Sequence, residues 1–137
     1  MVIDELHKIN LDIFRREIGV LVTSNWIDAV NILLDGKEID RNEADELLNY
    51  PSKLGNFEGL TFTLENGRDI IWIQLTSDTN RLLELLVHES THMMFRTLQA
   101  IDIKYHSKNE EIFSYLLGYI VSESIKFLDL NIIDSNQ

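Results

Sequence analysis

Residues 85–95 read LLVHESTHMMF and place His88, Glu89 and His92 within an otherwise mostly apolar run. On a helix, residues four apart stand one turn above each other. Both imidazoles therefore leave the same face and can put a nitrogen on one ion at about 2.0–2.1 Å. At about 3.6 residues per turn, Glu89 points roughly 80° away from their mean direction, beside such an ion and not onto it. That is where a base for a metal-activated water belongs. His-Glu-Ser-Thr-His satisfies the H-E-x-x-H pattern, in which zinc acidifies a water and the glutamate takes its proton. The competing reading makes the two histidines core residues bonded to carbonyls or carboxylates. Burying a histidine pair and a glutamate in so apolar a helix is costly unless something organises them, which favours a metal.

A catalytic zinc site keeps three protein ligands and one open position, so a third donor is expected from elsewhere. His106 and the Glu110-Glu111 pair are the candidates. The helix dipole alone accounts for acids in a first turn, and this explains Glu110 without a metal. Glu111 heads a helical stripe with Ser114, Tyr115, Gly118 and Ser122. The small members of that stripe suit a close helix–helix approach, so Glu111 is expected to meet the helix of His88 and His92. Tyr115, Tyr119 and His106 are candidates to hold a developing oxyanion, and Tyr115 is taken as the catalytic one.

These residues need elements to position them. Alternating apolar residues over 9–22 predict one bent strand or a loose hairpin. Ser24 and Asn25 offer an N-cap to a helix bearing Trp26, Val30 and Leu33, which Gly36 ends. Asp40, with Glu43 in capping-box spacing, starts a second helix that Pro51 stops by about Tyr50. Asn66-Gly67 predicts a type I′ hairpin between strands 59–64 and 68–75. The second of these is apolar on both faces, which suits an interior position, although the same residues would also serve as an edge strand that pairs with an extended peptide. A central buried helix follows over about 79–98, opened by the polar TSDTN. A last helix after Asn109 packs against it. The expected fold class is α+β, a small, mostly antiparallel sheet packed against the buried H-E-x-x-H helix and a second, C-terminal ligand-bearing helix.

With 137 residues, the chain is expected to form a single domain over 1–137. The formal charge of −11, from 12 basic and 23 acidic side chains, argues against nucleic acid and anionic membrane as partners. There is no cysteine, so any metal must sit on His and carboxylate. The N-terminal residues lack the pattern of a signal peptide, and no apolar run approaches a membrane span, so a soluble cytoplasmic protein is expected. Only the last few residues look disordered.

A strand, an H-E-x-x-H helix, a short loop and a second helix bearing a glutamate resemble the gluzincin metallopeptidases. More closely, HESTHMMF followed by EIFSYLLGYI is similar to small H-E-x-x-H proteins encoded by bacteriophages and prophages. The similarity is best from about residue 59 to 127. It implies a minimal zincin-like fold with one Zn2+ per chain, His88, His92 and Glu111 as its ligands, and Tyr115 and Gly118-Tyr119 following the third ligand. The implied activity is hydrolysis of a peptide or protein substrate with Glu89 as general base. The alternative is a non-catalytic protein-binding factor of phage or host on the same scaffold.

Overall fold

The computed structural model describes residues 5–128. The expected disorder of the last residues falls on 129–137, outside the described residues. Of the bent strand and the loose hairpin expected over 9–22, the chain forms the hairpin, with strand β1 (His7–Leu11) and strand β2 (Arg16–Thr23) joined by a single 3-10 turn. Helix α1 (Trp26–Asp35) is capped by Asn25, whose side chain accepts the Asp28 N–H at 2.8 Å. Asp40 does the same for α2 (Arg41–Leu48), accepting the Glu43 N–H at 2.8 Å. Glu43 itself does not complete a capping box: its buried carboxylate accepts the Glu65 N–H at 2.8 Å and ties α2 to the next hairpin. Pro51 does more than stop a helix. It sits in the first turn of a further short one, α3 (Tyr50–Leu54), where its missing N–H costs nothing.

Strands β3 (Gly59–Thr63) and β4 (Asp69–Gln74) form the second hairpin, but not through the expected type I′ turn. Gly67 has φ +90 while Asn66 is absent from the positive-φ residues, Gly67 N–H bonds Leu64 O at 2.9 Å, and Leu64 N–H bonds Arg68 O at 2.9 Å. The loop is therefore the three residues Glu65, Asn66 and Gly67, a type I turn closed by a left-handed glycine bulge.

Sheet order is β1-β2-β4-β3, antiparallel at both outer pairings and parallel between β2 and β4. The α+β class holds, with a mixed sheet. Because β4 lies between β2 and β3 it is an interior strand, buried from Asp69 through Ile73, and the edge role considered for it passes to β3.

Helices cover both faces. Leu21, Ile70 and Trp72 pack with Trp26, Val30, Leu33 and Leu47 of α1 and α2 on one side. Ile18, Val20, Val22, Ile71 and Ile73 pack on the other against α4 (Thr79–Ala100) and α5 (Glu110–Leu128). Asp78 caps α4, accepting the Arg81 N–H at 3.2 Å. Among the described residues no helix is long and apolar enough to cross a membrane.

Helix α4 is not buried all round. Leu82, Leu86, Met93 and Leu98 enter the core, but Val87 and Phe95 stand 44% and 47% exposed beside the exposed His88 and His92. One sheet face and one neighbouring helix cannot enclose a helix on every side. Helix α5 turns Phe113, Leu116, Ile120 and Phe127 inward, so the small-residue stripe expected to meet α4 faces solvent instead. A Cβ added at Gly118 would meet nothing within 4 Å.

Candidate active site

The helical spacing of His88 and His92 brings their Nε2 atoms to 3.3 Å, with ring centroids 4.9 Å apart and planes crossing at 76°. Two nitrogens each about 2.0–2.1 Å from one ion, at its tetrahedral angle, lie about 3.3–3.4 Å from each other. The observed separation thus matches the bite of a shared zinc, and it is long for an N–H···N hydrogen bond. Because both rings are exposed, water carries their hydration, and the burial cost that favoured a metal in the sequence does not operate here. What suits a metal here is the separation of the two nitrogens.

Glu89 is the buried member, 5% exposed. Its position comes from the edge strand: the Thr61 hydroxyl donates to Glu89 Oε1 at 2.9 Å and lies 3.1 Å from the Glu89 carbonyl oxygen. Oε2 is turned towards His88, 3.9 Å from its Nε2. Gly59 makes room for this arrangement, since a Cβ there would stand 3.0 Å from Oε2 and 3.1 Å from Cγ. The carboxylate lines a cleft of about 420 Å³ with Asn56, Glu58, Gly59, Arg81, Glu84, Leu85 and His88. Arg81 bridges two of these lining residues, Glu58 at 3.0 Å and Glu84 at 2.9 Å, and these contacts hold its guanidinium above its ordinary pKa.

The backbone of β3 is placed for pairing. Glu58 O accepts from Gln74 and Leu64 N–H donates to Arg68 O, so the even-numbered residues between them bond to β4. By the alternation of an antiparallel ladder, the N–H and C=O groups of Gly59, Thr61 and Thr63 point to the free edge. Among the described residues no further strand pairs there.

The remaining expected site residues are not drawn together. Glu110 and Glu111 are exposed in the first turn of α5. His106 is exposed in the preceding loop, its Nδ1 accepting the Lys108 N–H at 3.1 Å. Among the described residues no three His, Cys, Asp or Glu side chains form a ligand set. Tyr115 and Tyr119 line a separate small cavity with Leu11, Asp12, Phe14 and Leu116, and the Tyr119 hydroxyl donates to Asn10 O at 3.2 Å. Neither lines the cleft of Glu89. Thr61 and Gly59 escaped the sequence reading because nothing local marks a threonine that reaches across 28 positions to a helix.

No protein-family profile, curated protein or solved structure matches this chain.

Proposed function

We propose that the chain is a zinc-dependent metallopeptidase with His88, His92 and Glu111 as metal ligands and Glu89 as general base. The observation that carries this reading is the 3.3 Å separation of the two Nε2 atoms beside a buried, oriented carboxylate. A zinc ion held there would supply a Lewis acid for the scissile carbonyl and for the attacking water. The protein's own part starts at the edge strand. An extended peptide adds to β3 through the outward N–H and C=O groups of Gly59, Thr61 and Thr63, which brings its backbone past Glu89. Glu89 accepts the proton of the attacking water at Oε2, while Thr61 holds Oε1 and fixes the carboxylate plane. The same carboxylate then returns the proton to the leaving amine. For Glu111 to complete the ligand set, the first turn of α5, where it is exposed, would have to move towards the pair, and Tyr115 as oxyanion donor likewise requires α5 to bring it towards the cleft.

The test is zinc content by elemental mass spectrometry on untagged protein, with cleavage of a degenerate peptide mixture followed in parallel. One zinc per chain, lost in His92→Ala and Glu111→Ala and kept in an inactive Glu89→Gln, is the expected result. Zinc kept in Glu111→Ala removes Glu111 from the ligand set, and full activity of Glu89→Gln removes the mechanism.

One observation favours a second reading, a non-catalytic protein-binding factor. Val87 and Phe95 expose apolar surface beside the open histidine pair, as a docking face would. Tight partner binding that survives Glu89→Gln, with no cleavage by the wild type, would decide for it.

A further inference from the structure

A second polar constellation lies further along the same strand and helix. Asp69, the first residue of β4, is 5% exposed, and its carboxylate is held from three sides. The Thr63 hydroxyl donates to Oδ1, Arg16 Nη2 donates to Oδ2 at 3.3 Å, and Arg96 Nη1 stands 3.9 Å from Oδ1 while donating to Thr63 Oγ1 at 2.8 Å. The two guanidinium groups thus converge on one buried acid, with side chains 30% and 43% exposed. Each has five N–H donors in a fixed fork, and only Nη2 of Arg16 and Nη1 of Arg96 are engaged among the described residues. With Gln99 and Ala100 they line a cleft of about 330 Å³. Two arginines against one aspartate leave a net positive charge there, on a chain whose formal charge is −11. Such a pocket suits a carboxylate, which two guanidinium forks bind with charge-assisted hydrogen bonds.

Register links this pocket to the Glu89 cleft. Thr61 touches Glu89 and Thr63 touches Arg96, so the two sites are two strand residues apart on the same face, about 6.6–6.8 Å along β3. A peptide added to the free edge in the more stable, antiparallel sense runs from Thr63 towards Gly59. Residues directly opposite each other in such a pair turn their side chains to the same face. The peptide residue opposite Thr63 therefore presents its side chain to Arg96, while Arg16, reaching in from β2 to Asp69, adds positive charge behind it. It lies two positions N-terminal to the residue opposite Thr61, beside the reacting carboxylate.

We propose that Arg96 and Arg16 form a subsite that selects peptides carrying Asp or Glu two residues N-terminal to the residue whose carbonyl is attacked. This rests on the peptidase reading above, because the cleavage point fixes the register. Asp69 is a positioning residue, orienting both arginines without touching the peptide.

The experiment digests a degenerate decapeptide mixture with the zinc-supplemented full chain and identifies the new termini by mass spectrometry, with Glu89→Gln as the control. Asp and Glu are expected to be enriched about tenfold over Asn and Gln at that one position, the order of a charge-assisted contact at a half-exposed site. Arg96→Gln should abolish the enrichment while cleavage continues. Arg96→Glu should replace it with a preference for Lys and Arg, a gain that a misfolded variant would not give. Cleavage with no acidic preference, or with the same preference in Arg96→Gln, overturns the subsite and leaves the peptidase reading standing. A mixture as intact with wild type as with Glu89→Gln overturns both.

Discussion

The Thr61 hydroxyl bonds the buried Glu89 carboxylate at 2.9 Å, joining the free edge of the sheet to the helix that carries the histidine pair. Among the described residues it is the one hydrogen bond that the Glu89 carboxylate accepts, and it sets which carboxylate oxygen faces the cleft. Thr61→Val keeps the shape and removes the donor, leaving a buried acceptor unpaired at a cost of about 1–3 kcal/mol. Urea denaturation should show this loss, with Thr61→Ser close to wild type. If Thr61→Val is as stable as wild type, the bond does not hold the carboxylate.

Gly59 tests the same junction from the backbone side. The Cβ of Gly59→Ala would press on Glu89 Cγ and Oε2 at 3.0–3.1 Å. The carboxylate end is flexible enough to move aside, so the fold should survive with a penalty of about 1 kcal/mol, at the low end for overpacking. The displaced carboxylate should lower kcat much more than KM, because the peptide-pairing groups of β3 are backbone and stay in place. Unchanged kcat would mean that the orientation of Glu89 is not used.

Acid stability should depend on His7. Its ring stacks on Phe127 with centroids 4.4 Å apart, and burial lowers its pKa below the ordinary 6.5, opposed in part by Glu123 and Glu5. A histidine with a lowered native pKa resists protonation in the fold and accepts it once unfolded. Its contribution to stability is therefore complete above about pH 6.5 and is lost as the pH falls through the lowered native value. His7→Phe, which keeps a stacked ring, should flatten the fall in urea midpoint between pH 7 and pH 5. A variant that loses stability in acid as steeply as wild type would assign the effect to other groups.

Gly67 carries the hairpin that holds β3 against β4. Its φ of +90 is a conformation L side chains rarely adopt, so Gly67→Ala should cost about 1–2 kcal/mol in thermal or urea unfolding, and Gly67→Asn less. No loss in Gly67→Ala would contradict the glycine bulge.

The sequence by itself determined what depends on neighbours along the chain. Caps at Asn25, Asp40 and Asp78, the hairpin at Asn66-Gly67 and the two-faced apolar character of β4 are each set within a few residues, by side chains that satisfy nearby backbone groups or by an apolar run. The approach of His88 to His92 belongs here too, since one helical turn brings it about without help from the rest of the fold.

Tertiary structure decided which faces are covered. The stripe of Glu111, Ser114, Tyr115, Gly118 and Ser122 reads locally as a helix-contact surface, but burying Phe113, Leu116, Ile120 and Phe127 removes far more apolar area from water, at about 25 cal/mol per Å². That larger gain turned the stripe outwards and took Tyr115 away from the Glu89 cleft. The same competition left His88 and His92 on an open face, made β3 and not β4 the edge strand, and set Thr61 against Glu89 and Thr63 against Arg96. Each of these contacts joins residues far apart in the chain, and it exists only because the sheet order β1-β2-β4-β3 lays a particular strand beside a particular helix.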